Sequence, residues 1–208
     1  VAPRCQLMKL CKALEANIDG EVVQFELIFR NYLTGSLFQA LQDGKDPYGL
    51  DLPSNLKEWH KFETPLFTPT TKGLKDEPLN SKKVRDTFPE IISSLEKLFK
   101  DFTTFAEDRG IVVVDTKFEI FVAGDGKWVL GDEVLTPESS RFIALEDFKN
   151  SNFISMDKQI LRDFGKKENW KEQSKSLKSG EKLEVVVPKE IEDKILNGYK
   201  TILERLSK

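Results

Sequence analysis

The sequence predicts an α+β fold in which an antiparallel sheet is packed with helices. Three observations carry that expectation. The run EVVQFELIF (21–29) alternates, so that Val23, Phe25, Leu27 and Phe29 share one side of an extended chain. Two later apolar runs, 111–122 and 127–134, are joined by Ala-Gly-Asp-Gly-Lys, and Asp-Gly between hydrophobic runs is a strong hairpin signal. Ahead of them, apolar residues recur at steps of three and four from Val84 to Phe105, the period of one helical face.

In chain order, the strand 21–29 is followed by RNYLTGS (30–36), read as a turn into a short helix ending near Leu41. Positions 42–80 are dense in Gly, Pro, Asp, Thr and Lys and include TPLFTPTTKG (64–73). They read as a long loop, which inside a compact domain is usually functional or mobile. A long helix over 82–108 comes next, with Ser81 as its N-cap and Gly110 beyond its end. After the hairpin, GKKENWKEQSKSLKSGEKLE (165–184) interleaves lysines with acids. That pattern reads as a solvated loop, with the border of an anionic ligand as the alternative. An amphipathic helix from Pro188, placed at its first turn, to Leu206 closes the chain.

At 208 residues the chain is one large domain or two small ones, long enough for a substantial core. A hydrophobic share of 39%, a charged share of 32% and a net charge of −3 are an ordinary globular balance, without the basic excess that suits nucleic acid or a membrane surface. No stretch has the apolar length needed to span a bilayer, and no targeting leader is expected. Cys5 and Cys11 lack CxxC spacing and are too few for a disulfide framework, so a reducing, cytoplasmic setting is expected.

The run VVVDTKFEI (112–120) passes from apolar residues straight into charges at alternate positions. In a strand Asp115, Lys117 and Glu119 share one face, and Thr116, Phe118 and Ile120 the other. If Asp125-Gly126 is a two-residue turn, Gly124 opposes Lys127 and Glu119 opposes Asp132. Two carboxylates about 5 Å apart repel by roughly 3 kcal/mol at an effective dielectric near 20. Directly opposed like charges destabilise a sheet, so either Lys117 or a divalent cation should compensate. Mg²⁺ takes one or two carboxylates and completes its shell with water and phosphate oxygens. A solvent-facing charge ladder stays open beside the metal reading. A three-residue turn would shift the register and carry Asp132 to the other face.

Five segments then fall in order: FELIFRNYLTGS (25–36), PLFTPTTK (65–72), VDTKFE (114–119), LGDEVLTPESSRF (130–142) and SMDKQILRDF (155–164). In order and spacing this series resembles the phosphoribosylaminoimidazole-succinocarboxamide synthase (SAICAR synthetase) family, from about residue 21 to the C-terminus. The resemblance implies an α+β ligase fold related in architecture to the ATP-grasp enzymes. It also implies an ATP-dependent condensation of carboxyaminoimidazole ribonucleotide with L-aspartate in purine synthesis, with ATP and Mg²⁺ required.

By the same resemblance, Lys117 lies against the ATP phosphates, with Asp115 in support. Glu119 and Asp132 hold the nucleotide-bound Mg²⁺, and Lys117, Glu119 and Asp132 form the catalytic set. Arg30, Ser36 and Arg141 match positions that hold the ribonucleotide phosphate, which a forked guanidinium suits. Lys72, Asp76, Asp157, Lys158 and Arg162 match further substrate positions. The sequence departs from the family pattern at Glu138, usually aspartate, at Ile120-Phe121 after Lys-Phe-Glu, and at Lys75 before Asp76. His60, the only histidine, is not at a family site position. Residues 1–20 read as an N-terminal remnant or linker and 21–208 as the larger lobe, since the ATP-covering glycine- and lysine-containing segment of the family is not found before Arg30. The alternative is a non-catalytic ribonucleotide-binding module without the ATP lobe; a kinase-like phosphotransferase is a third reading. No nucleic acid or membrane partner is expected, and a homo-oligomer is left open.

Overall fold

The computed structural model describes residues 10–73, 75–178 and 181–208. Cys5 lies outside them, and Cys11 is a half-buried free thiol. The chain divides into two units, residues 1–96 with 117–134 and residues 97–116 with 135–208. Every strand pairing described is antiparallel.

The first unit is organised by one long strand. After β1 (Lys12–Ala13) and β2 (Glu15–Ile18), the chain turns at Asp19 and Gly20, both at positive φ, into β3 (Glu21–Tyr32). Two left-handed residues match the twist of flanking strands, so Ile18 pairs directly with Glu21. Phe25, Leu27 and Phe29 are buried, as their alternation predicts. The strand runs three residues further than expected: Arg30, Asn31 and Tyr32 belong to it, and only Leu33 and Thr34 separate it from α1 (Gly35–Gln42).

The predicted loop 42–80 is a loop only in part. It contains β4 (Lys61–Phe67) and β5 (Thr70–Thr71), both paired with β3. Threonine and phenylalanine favour strands, and Pro65 is tolerated in a strand that β3 pairs on one side. The predicted single helix is likewise two, α2 (Ser81–Thr87) and α3 (Pro89–Glu107). Pro89 lacks an N–H and disfavours helical geometry at the residue before it; Phe88 sits at φ −131, ψ 55. Asn80, not Ser81, is the N-cap, accepting the Lys83 N–H at 3.0 Å, while the Ser81 hydroxyl donates to the Phe67 carbonyl.

β6 (Ile111–Val122) and β7 (Trp128–Gly131) form the predicted hairpin, but one residue out of the expected register. Val122 pairs with Trp128 and Glu119 with Gly131, so Glu119 does not oppose Asp132. The Ala123 N–H donates to the Lys127 carbonyl around a three-residue loop, Gly124-Asp125-Gly126, with Gly126 at φ +80. That left-handed third residue is what a three-residue hairpin loop requires. The strand order is β1-β6-β3-β2, with β4 and β5 on β3 and β7 on β6. Phe29 packs against Phe67 and Phe118 at 5.1 and 6.1 Å between ring centroids, and Phe25 meets Phe88 edge-on at 5.4 Å.

In the second unit the first half of β6 pairs with β8 (Ser140–Ala144), Ile111 with Ala144 and Thr116 with Ser140. Ile111, Val112, Val113 and Val114 are all buried, which is why this stretch does not alternate. α4 (Leu145–Lys149) follows, then α5 (Gln159–Lys167), α6 (Trp170–Lys175) and α7 (Lys189–Leu206). The stretch 165–184, expected to be a loop, is therefore partly helical. Its charges do face solvent, in pairs such as Lys175 with Glu172. Pro188 is the N-cap of α7, at φ −60 and ψ 145, rather than its first helical residue. α7 packs on α5 and buries Ile202, a burial that stabilises by about 1.5–3 kcal/mol. Gly198 permits close approach there, since a Cβ would come within 2.5 Å of the Met156 carbonyl oxygen. Among the described residues no helix is long and apolar enough to cross a membrane.

Candidate functional site

The first unit gathers five charged side chains from two strands, β3 and β6, and from the ends of two others, β5 and β7. Lys117 and Glu119 are on β6, on the face that alternation assigns them. The Lys117 ammonium donates to Glu119 Oε1 at 2.8 Å and to Glu26 Oε1, on β3, at 2.9 Å. Lys72, just beyond β5, has its backbone N–H on the Gln24 carbonyl, and its ammonium donates to the other Glu119 oxygen. Asp132 follows β7 at φ +57, and its carboxylate lies 3.9 Å from the Lys117 ammonium. The shifted register would have sent an ordinary strand residue at 132 to the opposite face. Asp132 lies past the last pairing instead, and its left-handed backbone keeps the carboxylate on this cluster.

The electrostatics favour ions at both ends. Burial opposes the charge on Lys117, but hydrogen bonds and the charges of Glu119 and Glu26 outweigh it and hold its pKa above the usual lysine range. Asp132 is held below the usual carboxylate range. Burial works against that, and the Glu133 N–H with the charges of Lys117 and Lys72 prevails. Three carboxylates against two ammoniums leave the cluster formally negative by one. Glu26 was not singled out from the sequence, although it lies within FELIF and shares the polar side of β3 with Arg30.

Among the described residues no group of three or more acids, histidines or cysteines has the arrangement of a metal cage. The adjoining carboxyl groups of Glu119 and Asp132 nevertheless fit the one or two hard oxygen donors that Mg²⁺ takes when phosphate and water supply the rest.

Elsewhere in the first unit, Arg30 is buried; its Nε donates to Thr68 Oγ1 at 2.9 Å, and it hydrogen-bonds Tyr48. Burial raises the Tyr48 pKa against the lowering effect of that arginine. Ser36 is exposed in the first turn of α1, and Asp76 is exposed between β5 and α2.

The second unit holds the other predicted positions. Arg141 forks onto Asp115, with Nε at 3.0 and 3.1 Å from its two oxygens and Nη2 on one of them. Beside this pair the hydroxyls of Thr116 and Ser140 hydrogen-bond at 2.7 Å. Asp157 is fully buried. Its oxygens accept the backbone N–H groups of Phe142 and Gln159 at 2.9 and 2.8 Å and the Ser155 hydroxyl. Burial raises its pKa, against the lowering effect of those bonds and of the Arg141 charge. Lys158 is half-buried at the N-cap of α5, and Arg162 is exposed on that helix.

Fold and site together define an antiparallel α+β protein with an acid–lysine cluster formed by the ends and faces of its strands. The sequence pattern of the SAICAR synthetase family matches residues 9–177, and the chain belongs to that family. The phosphoribosylaminoimidazole-succinocarboxamide synthase of Actinobacillus succinogenes is 33% identical over 195 residues, covering 89% of this chain and 65% of the relative. That of Histophilus somni is 34% identical over 202 residues, with the same coverage. The chain thus spans about two-thirds, 65%, of the length of these relatives. Among solved structures, the Saccharomyces cerevisiae SAICAR synthase complexed with SAICAR superposes with a TM-score of 0.62 at 29% identity, covering 88% of this chain and 58% of that one. A SAICAR synthetase solved in complex with ADP shares the fold at a TM-score of 0.57 and 22% identity, covering 95% and 72%.

Proposed function

We propose that this chain carries the ligase site of a phosphoribosylaminoimidazole-succinocarboxamide synthase, which condenses carboxyaminoimidazole ribonucleotide with L-aspartate at the expense of ATP. The observation that carries the reading is the cluster of Lys72, Lys117, Glu119 and Asp132 in a chain of this family. A carboxylate is a poor electrophile. Its oxygen attacks the γ-phosphorus of ATP, the bond to the ADP oxygen breaks, and an acyl phosphate forms. The aspartate amine then attacks the acyl carbon, phosphate departs with the bonding pair, and the nitrogen loses a proton to solvent.

Lys117 suits the first step because its pKa is held up, so it stays cationic beside phosphoryl oxygens that gain charge. Lys72, released from Glu119, can take a second anionic group. Glu119 and Asp132 would hold Mg²⁺, which when bound neutralises phosphate charge. Arg141, and Arg30 with Ser36, are assigned to the ribonucleotide phosphate, and Asp76, Lys158 and Arg162 to the remainder of the substrates. Asp115 keeps the Arg141 fork oriented. Asp157, whose oxygens meet backbone N–H groups and a hydroxyl, shapes the start of α5. A cytosolic location fits the free thiol of Cys11.

The test is ATP-dependent formation of the succinocarboxamide by the full-length protein, with ribonucleotide and aspartate each omitted in turn. Product that needs all three substrates supports the ligase. Phosphate transfer without aspartate would identify a phosphotransferase. Calorimetric binding of ribonucleotide with none of Mg-ATP would identify a binding module.

A further inference from the structure

The family match ends at residue 177, ahead of α7. That helix nevertheless reaches back to the segment preceding Arg141. The Tyr199 hydroxyl donates to Glu138 Oε1, a contact between residues 61 apart in sequence. Glu138 lies in the turn Thr136–Ser140, where the Ser139 and Ser140 N–H groups both donate to the Thr136 carbonyl, at 3.1 and 2.9 Å. The Glu138 N–H meets Thr136 Oγ1 and the Thr136 N–H meets Ser139 Oγ, each at 3.2 Å. The turn leads directly into Ser140, bonded to Thr116, and Arg141, forked onto Asp115.

The helix is itself anchored on both sides of Tyr199. Gly198 lies against the Met156 backbone and Ile202 is buried. One turn on, Arg205 donates to the Gly110 carbonyl at 2.6 Å and pairs with Glu146 at 2.6 Å. A phenol on a helix held at those points is a fixed donor. A phenol-to-carboxylate bond is also of the stronger, charge-assisted kind. Within the turn the other hydrogen bonds are short-range. Its flanks are tied by the Lys158 N–H on the Pro137 carbonyl at 3.4 Å and by Ser140 on Thr116, and the Tyr199 phenol holds the Glu138 side chain between those two points.

We infer that Tyr199 is a positioning residue: through Glu138 it fixes the 136–140 turn, and with it the aim of Arg141 at the ribonucleotide phosphate. This rests on the ligase reading for the identity of the ligand, but the clamp has a readout of its own. In full-length protein, Tyr199→Phe removes one oxygen and keeps the ring packing. Amide hydrogen exchange at Ser139 and Ser140 should rise in that variant, with the β6 core amides unchanged. Its calorimetric Kd for the ribonucleotide should weaken by about three- to tenfold, within what one such bond supplies, while Mg-ATP affinity holds. Tyr199→Phe combined with Glu138→Ala should be no worse than the poorer single variant, because the two residues act as one unit.

Unchanged exchange at the turn, additive losses in the double variant, or an unchanged ribonucleotide Kd beside a wild type that binds it would overturn the inference and leave the ligase reading intact. A wild type that binds no ribonucleotide overturns the ligase reading, and the positioning role falls with it.

Discussion

Asp132 and Asp157 are both acids within the family motifs, and the structure treats them oppositely. Asp132 stands past the end of β7, partly exposed and left-handed, its carboxylate beside that of Glu119 and drawn toward Lys117 and Lys72. Asp157 is sealed from solvent, with backbone amides and a hydroxyl on its two oxygens. Surroundings depress the pKa of the first and raise that of the second. A motif acid is available to a ligand when mobile cations compensate it, and committed to the fold when backbone amides do.

The sharpest way to break this contrast is to remove the cation. Lys117→Ala should reduce ATP-dependent turnover by about a thousandfold or more, the scale of losing a principal electrostatic contact in the transition state. It should also cost roughly 1–3 kcal/mol of stability, because Glu119 and Glu26 lose a partner at a site with limited solvent access. Near-normal turnover would remove Lys117 from the mechanism. Asp132→Asn should abolish turnover comparably yet change stability by less than about 0.5 kcal/mol, as at other exposed positions.

Asp157→Ala should invert that pattern. Two backbone donors would lose their acceptor, at about 1–3 kcal/mol each, so thermal unfolding should show a marked loss. The KM for ATP in the folded fraction should stay within about twofold. A stable Asp157→Ala enzyme with selectively impaired substrate binding would erase the distinction.

A smaller effect separates the arginines. Arg141→Ala should weaken ribonucleotide binding by about tenfold to a hundredfold, the worth of a charge-assisted fork, with ATP affinity kept. An unchanged ribonucleotide Kd would count against its phosphate role.

The finest test is the sign of a pH slope. The folded pKa of Asp132 is lowered, so its contribution to stability is present above the ordinary aspartate value of 3.8 and is lost as pH falls through the folded value. The folded pKa of Asp157 is raised, so its contribution is present below 3.8 and is lost as pH rises through the folded value. Acid titration of unfolding should therefore be shallower in Asp132→Asn than in wild type, and steeper in Asp157→Asn. Equal slopes would mean that the two carboxyls do not differ in the way their surroundings require.

These two acids also show how much could be read from sequence. The strand faces were legible: alternation put Phe25, Leu27 and Phe29 inside and Lys117 with Glu119 on one side, and all are found so. The register was not, because Asp125-Gly126 has the composition of a two-residue turn, and only Gly124's inclusion in the loop moves Glu119 opposite Gly131. Asp132 reached the predicted cluster by a backbone conformation that no periodicity reports. β4 and β5 were hidden because their partner, β3, lies some forty residues away, while prolines and threonines nearby read as loop. The break at Pro89 was masked because the apolar spacing of three and four continues across it. Glu26 lacked a signal of its own, for its partner Lys117 is 91 positions along the chain.

The left-handed backbone at Asp132 sets a limit on how this corner can evolve. Residues branched at Cβ are excluded there by sterics, and asparagine or glycine would keep the bend while discarding the acid. A glutamate would keep the acid but strain the bend and overshoot the position. Shape and charge are thus filtered together at a single codon, and drift there leaves few survivors besides the residue already present.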